Sequence, residues 1–275
     1  MGLPQPRVLF FMRSLKDSFS AYIRYRCLVQ SKYSLHSPFI YRFWAGILKD
    51  KTKYPAYAKA ESFRNTLLND NSTINRVDFG AGSNEQGPGA GAIKISDLAR
   101  RSLISAAKGR VLYKLVKEQQ PQAILEFGTS LGLSALYMAE AAPSARIITM
   151  EGCPQTAALA RQAFKKAGIK NVTVITGVFD EKLGEALGLM PKPGLVFFDG
   201  NHRREPTLKY WEQCKPYLNA TSVAVFDDIH WSVEMEEAWK CIIAQPFVKV
   251  SIDLFHLGVL YFREELSKED FVLRF

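Results

Sequence analysis

The chain has 275 residues, 47% hydrophobic and 23% charged, with a formal net charge of +9; this is enough apolar content for a substantial core and excludes a disordered chain. No stretch of about 18 apolar residues offers a membrane span, the run Val8-Leu9-Phe10-Phe11-Met12 between Arg7 and Arg13 lacks a small-residue cleavage site, and Pro6 excludes N-myristoylation. Cys27, Cys153, Cys214 and Cys241 form no C-x-x-C pair, which excludes a zinc knuckle or disulfide framework and predicts free thiols in a cytoplasmic protein.

Charge is unevenly spread. Residues 1–78 carry 13 Lys and Arg against 5 Asp and Glu, a net +8, whereas residues 79–275 carry 23 against 22, a net +1. Cations such as Arg24, Arg26, Lys32, Arg42 and Lys49 alternate with aromatics such as Phe19, Tyr22, Tyr25, Tyr33, Phe39, Phe43 and Trp44. Residues 1–92 therefore read as a basic, mainly helical extension that packs its aromatics on a main domain and leaves its cations in water. An anionic substrate, nucleic acid or lipid surface would suit the same composition. Asp78-Phe79-Gly80-Ala81-Gly82-Ser83 reads as a mobile cover near a site, with an ordinary surface loop as the alternative, and Ser83–Gly91 after it reads as a flexible loop.

From residue 93 to 275 apolar runs of strand length alternate with helical patterns. Leu98 to Lys117 repeats apolar residues at helical spacing and ends before Pro121. Strands are expected at Ala123–Phe127, Arg146–Met150, Val172–Thr176, Leu195–Phe198 and Ser222–Phe226. Helices are expected near Leu133–Ala141, Gln155–Ala167, Lys182–Leu187, Pro206–Tyr217 and Val233–Ile243. Such alternation implies right-handed crossovers and a parallel sheet covered on both faces. Val248–Phe255 and Val259–Phe262 are separated only by His256-Leu257-Gly258, too short for a helix, and so form an antiparallel hairpin. The expected fold is a doubly wound α/β domain with a mostly parallel seven-stranded sheet and a C-terminal antiparallel hairpin.

The most informative local pattern is Ile124-Leu125-Glu126-Phe127-Gly128-Thr129-Ser130-Leu131-Gly132-Leu133-Ser134, with a second run, Ile147–Met150, closing on Glu151. A strand that breaks into glycines and then a helix brings backbone N–H groups to a ligand, and an acidic residue ending the next strand can bind a ribose diol. Glu151 follows Gly128 by 23 residues, near the roughly 20 expected for one βαβ unit. G-x-G-x-x-G and Gly-Lys-Ser/Thr are both absent, so the turn suits a nucleoside ligand without phosphates.

Ligands of open α/β sheets bind beyond the carboxyl ends of the strands. The third strand ends at Thr176-Gly177-Val178-Phe179-Asp180, where Phe179 can pack on an aromatic ring and Asp180 can bond an exocyclic amine. The fourth ends Asp199-Gly200-Asn201-His202-Arg203 and the fifth Asp227-Asp228-Ile229-His230-Trp231. Clustered carboxylates repel unless a cation neutralises them, and an all-oxygen set suits Mg²⁺, Ca²⁺ or Mn²⁺. The alternative is that Asp227 or Asp228 caps a helix and Asp199 only faces the nucleoside. His202 and His230 follow acidic strand ends, and His202 is the preferred general base.

With these residues in view, residues 95 to 265 resemble the class I S-adenosylmethionine-dependent methyltransferases, and within them the small-molecule O-methyltransferases of the catechol and macrolide-sugar types. Leu125-Glu126-Phe127-Gly128 and Gly132-Leu133-Ser134 match the Leu-Glu-Leu-Gly and Gly-Tyr-Ser of the catechol type. The resemblance implies that Glu126, Gly128 and Ser134, with Thr129, Ser130 and Gly132 of the turn, surround the methionine part of S-adenosylmethionine. It further implies that Glu151 binds the ribose, that Phe179 and Asp180 border the adenine, and that Asp199 lies beside the cofactor. Asp199, Asp227 and Asp228 become candidate ligands of Mg²⁺ or another divalent cation, although the catechol type has Asn where this chain has Asp228. His202 stands where the catechol type has its catalytic lysine and the macrolide type a histidine.

The chemistry so implied is methyl transfer to a hydroxyl of a small-molecule acceptor, with His202 and Asp199 as catalytic residues and a cation on the three carboxylates lowering the acceptor's pKa. The rivals are an RNA-modifying methyltransferase using the basic extension as a nucleic-acid surface, a non-catalytic cofactor-binding module and a nicotinamide-dependent oxidoreductase. Against the RNA reading, the fourth strand ends in Asp-Gly-Asn-His, without the Asn-Pro-Pro-Tyr character of base N-methylating enzymes.

Overall fold

The computed structural model describes residues 15–31, 36–79 and 89–275. The run Val8–Met12, Lys32 and Tyr33, and the Gly80–Ser83 and Gly87-Pro88 parts of the glycine-rich stretch lie outside the described residues.

The core is an eight-stranded sheet. Its central strands are β3 (Ala123–Phe127), β4 (Arg146–Glu151), β5 (Val172–Thr176), β6 (Leu195–Phe198) and β7 (Val223–Asp227), all parallel, as the alternation predicts. β8 (Val250–Asp253) and β9 (Leu257–Tyr261) form the expected hairpin, with β9 antiparallel to both β7 and β8. An additional strand, β10 (Glu269–Val272), pairs parallel with β8 at the edge and raises the count from the expected seven to eight. Glu-Asp-Phe-Val has no apolar run to announce it. It is a half-charged edge strand held by backbone pairing, as edge strands often are.

Side-chain alternation along the strands divides the apolar residues between two faces. Ile124, Leu195, Phe197, Val223 and Val225 join one cluster, whereas Leu125, Phe127, Val196, Phe198, Ala224 and Phe226 join the other. Phe127, Phe198 and Phe226 pair in register across three neighbouring strands and stack, with centroids 4.9 and 4.3 Å apart. That aromatic ladder fixes the level at which the strands end, so Gly128, Asp199 and Asp227 emerge side by side.

Helices α5 (Ala106–Gln119), α6 (Leu133–Ala141), α7 (Pro154–Lys166), α8 (Phe179–Gly188), α9 (Arg204–Cys214) and α10 (Val233–Ile243) supply the crossovers and cover the faces. The helical periodicity over Leu98–Lys117 resolves into two helices, α4 (Ile95–Ser102) and α5, because Leu103 is extended and the Ser105 hydroxyl caps α5 by accepting from Lys108 N–H.

Ahead of the sheet, α1 (Leu15–Leu28), α2 (Pro38–Phe43), a π-helical turn (Trp44–Leu48) and α3 (Pro55–Leu68) agree with a mainly helical extension. Ile40, Phe43, Ile47, Ala56, Tyr57 and Ala60 share one apolar cluster with Val111, Leu112, Leu115 and Leu133. Lys114 of α5 donates to the carbonyls of Ile47 and Asp50, satisfying the end of the π-helical turn. A departure from the helical reading is the antiparallel pair β1 (Thr73–Asp78) and β2 (Gly89–Lys94), so Gly89–Gly91 are strand and not loop. The pair is anchored where Gln155 accepts from Asn75 N–H at 2.7 Å and Cys153 Sγ accepts from Val77 N–H at 3.4 Å.

Helix α1 closes on the far edge, where the buried Tyr25 hydroxyl donates to Leu273 O at 2.5 Å and the Tyr25 ring meets Phe255. Beneath it His230 is held on both nitrogens, Nδ1 by Glu236 and Nε2 by Asp253, each at 2.7 Å. Burial pulls its pKa down, but the two carboxylates outweigh this and raise it from 6.5 to about 9. Tyr25, Glu236, Asp253 and His256 are among the titratable groups around it, and Arg24 lies 3.9 Å from Glu236. Because the folded pKa is raised, this contribution is complete below the unfolded value of 6.5 and is lost as pH rises through about 9. It amounts to on the order of 3 kcal/mol. Denaturation midpoints are therefore expected to fall between pH 7 and 9.5, and the slope to flatten in His230→Gln; an unchanged slope in that variant would rule the pair out.

Candidate active site

The turn after β3 is built by conformations that few residues other than glycine tolerate. Gly128 has φ +92°, and a Cβ there would lie 2.2 Å from the Asp199 carbonyl oxygen. Gly132 has φ +87°, with Phe164 occupying the space of its missing side chain. Ser130 between them is also left-handed, at φ +45°. Gly128 and Thr129 N–H both donate to Met150 O, and the Thr129 hydroxyl meets that of Thr149 at 2.7 Å, which ties the turn to the end of β4. Ser130 Oγ meets Ser102 Oγ at 2.8 Å, so α4 roofs the turn from the other side.

Glu151 closes β4 as expected and bridges the same turn: Oε2 accepts from Ser130 N–H at 2.8 Å and Oε1 from Cys153 N–H at 2.9 Å. Two backbone donors thus orient the Glu151 carboxylate at the end of β4, the position from which an acidic residue can bind a diol. Phe79 lies against Gly152, one residue further on.

Glu126 is the unusual group. It is fully buried, alternating with Ile124 onto the face covered by α6, and neither carboxylate oxygen has a hydrogen-bond partner of ordinary geometry among the described residues. Burial raises its pKa to about 7, with the Ser134 and Thr149 hydroxyls partly opposing that and Glu151 adding to it. A buried orphan carboxylate is costly unless a donor reaches it. Ser134, in the first turn of α6, is buried beside it.

Phe179 and Asp180 open α8. The Phe179 ring stands edge-on to Phe127 and Tyr210 and against Gly200, while Asp180 is exposed and ion-paired with Lys209. Phe179 thus joins the turn, and Asp180 lies at the rim.

At the ends of β6 and β7 the carboxylates do converge. Asp199 is raised well above the usual carboxylate range by burial and by Asp227, with Lys108 opposing. His202 Nε2 stands 3.6 Å from Asp199 Oδ1. The chain leaves these strands through left-handed Asn201 and Asp228, residue types that adopt φ +56° and +53° at low cost. His230 has both nitrogens engaged by carboxylates, which leaves His202 as the histidine facing Asp199.

The group that sequence reasoning missed is Lys108. Its Nζ lies 2.7 Å from both oxygens of Asp227 and 3.3 Å from Asp228 Oδ1. Burial lowers its pKa, but Asp227, Asp228 and Asp199 outweigh burial and hold it above the ordinary ammonium range. Among the described residues no group of three His, Cys, Asp or Glu side chains is arranged to hold a metal ion. The carboxylate cluster expected around a divalent cation is organised here around an ammonium. Lys108 lies inside a stretch read only as an amphipathic helix, and no local signal marks it.

The sheet order, the glycine turn and the acidic strand ends define a class I methyltransferase fold. Residues 125–229 match the family model described as a methyltransferase domain. Catechol O-methyltransferase of Sus scrofa is 41% identical over 76 residues, 27% of this chain and 41% of the relative. A transmembrane O-methyltransferase of Propithecus coquereli is 39% identical over 83 residues, 29% of this chain and 30% of the relative. The chain thus aligns with less than half the length of these curated relatives. An SAH-bound methyltransferase of Podospora anserina superposes with a TM-score of 0.58 at 18% identity, covering 86% of this chain and all of that one. An O-methyltransferase of Bacillus cereus in complex with SAH gives 0.55 at 15%, covering 86% and 99%. These superpositions establish the fold. No helix among the described residues is long and apolar enough to cross a membrane.

Proposed function

We propose that the chain transfers the methyl group of S-adenosylmethionine to a hydroxyl of a small-molecule acceptor. The observation that carries this reading is the carboxylate of Glu126 beneath the glycine turn, without a hydrogen-bond partner among the described residues, together with Glu151, which is held to the same turn through Ser130 N–H: an anionic floor for an ammonium and a receptor for a diol. The names of the relatives, O-methyltransferases, support oxygen as the acceptor atom.

The cofactor supplies a methyl group on a sulfonium, already an activated leaving group. Glu126 and Ser134 hold the amino-acid end, the backbone of Gly128–Gly132 lines the centre, Glu151 takes the ribose hydroxyls and Phe179 borders the base. His202 takes the acceptor's proton, and Asp199 stabilises the resulting imidazolium. Excluding water and holding the acceptor in line are the remaining tasks. Tyr22 and Tyr25 of α1 pack on Phe255, next to His256, so the N-terminal helices shape the acceptor side while residues 93–275 bind the cofactor. The arrangement does not fit a divalent cation, because Lys108 already grips both oxygens of Asp227, and no step is assigned to a metal.

Calorimetric titration tests the reading. S-adenosylmethionine is expected to bind and NAD not to bind, and Glu151→Ala to weaken S-adenosylmethionine by about 10-fold or more through loss of two charge-assisted hydrogen bonds. Binding of NAD in preference to S-adenosylmethionine, or an unchanged affinity in Glu151→Ala, would refute it.

A further inference from the structure

We propose that the Lys108 ammonium is the resident cation of the acceptor site: it fills the position that the carboxylates of Asp227 and Asp228 would otherwise offer to a divalent metal, and makes the chain's methyl transfer metal-independent. The part concerning transfer rests on the function proposed above; the part concerning the cation does not.

Three observations carry it. The contact is bidentate and close, with Nζ at 2.7 Å from each oxygen of Asp227, and a third N–H reaches Asp228 at 3.3 Å. Both partners are withdrawn from solvent, the Lys108 and Asp227 side chains being 14% and 5% exposed, so the pair is not a loosely screened surface contact. The position is also imposed by the fold: Lys108 lies in the first turn of α5, whose start is set by the Ser105 cap, and Asp227 ends β7 at a level set by the stacked Phe198 and Phe226.

An ammonium at this point has consequences that a metal would not share. It brings its own charge covalently, so no chelator removes it. Its three donors are directed to oxygens, and the longest of them, toward Asp228, is the one an acceptor oxygen can take over. Asp228 supplies a full negative charge where a neutral amide would leave the lysine less compensated, which accounts for an acidic pair in place of Asp-Asn.

The test uses the full chain and Mn²⁺, followed by the loss of its solution EPR signal, without S-adenosylmethionine or acceptor. Wild type and Lys108→Arg are expected to bind no Mn²⁺ at this site. Lys108→Ala, which frees the carboxylates, is expected to bind one Mn²⁺ at least about 10-fold more tightly than wild type, and adding Asp227→Asn is expected to abolish that gain. Stoichiometric Mn²⁺ binding by wild type that Asp227→Asn removes would overturn the proposal, and that measurement stands even if Lys108→Ala fails to fold. Failure of Lys108→Ala, folded by circular dichroism, to gain Mn²⁺ would overturn it equally. Neither readout depends on turnover, so a chain that proved not to bind S-adenosylmethionine would refute the proposed function and leave this result interpretable.

Discussion

Gly128→Ala is expected to destabilise the domain by about 3 kcal/mol or more and to abolish S-adenosylmethionine binding, the first term being the sum of a left-handed non-glycine residue and an overpacked contact. The reason is steric and local. The new methyl carbon would lie 2.2 Å from the Asp199 carbonyl oxygen, a backbone atom that cannot rotate away. Relief requires β3 and β6 to part, and their ends carry Glu126, Asp199 and the stacked Phe127 and Phe198. Gly184, inside α8 with nothing near its missing Cβ, is the control: Gly184→Ala is expected to be neutral or to stabilise by up to about 1 kcal/mol. Urea denaturation with calorimetry separates the two effects. A Gly128→Ala protein as stable as wild type would show that the turn is not held as described.

His202→Ala is expected to lower kcat with a hydroxyl acceptor that the wild type turns over by about 10²- to 10⁴-fold, the range for loss of a general base, while leaving S-adenosylmethionine affinity and thermal stability close to wild type. The separation follows from position. His202 is partly exposed in the loop between β6 and α9, faces Asp199 at 3.6 Å and takes part in no core cluster. Asp199→Asn is expected to reduce kcat as well, because it replaces the carboxyl group that faces His202 Nε2 at 3.6 Å. Its stability effect is expected to be larger, since Asp199 belongs to the electrostatically coupled group around Lys108. Turnover unaffected in His202→Ala would remove histidine from the mechanism and direct attention to Asp199.

The two expectations differ in how they could be anticipated. The glycine turn, the acidic end of β4 and the alternation of strands with helices are local patterns, repeated over spacings that one βαβ unit fixes, and each is legible in a stretch of about 30 residues. Helices α6 and α10 end where the sequence pattern ends, at Leu133–Ala141 and Val233–Ile243. Where the reading departs from the structure, the determining interaction is non-local. β10 is a strand because β8 offers it an open edge, and Gly89–Gly91 are strand because Thr73–Asp78 pairs with them.

By itself, then, the sequence determined the parallel α/β sheet, the glycine turn with Glu126 and Glu151, and the placing of Asp199, Asp227 and His202 at strand ends, because period, turn chemistry and strand polarity are properties of short segments. Only the tertiary structure decided what neutralises those carboxylates. Lys108 is 119 residues from Asp227 along the chain, and nothing short of the packing of α5 against the end of β7 brings an ammonium and two carboxylates to one point.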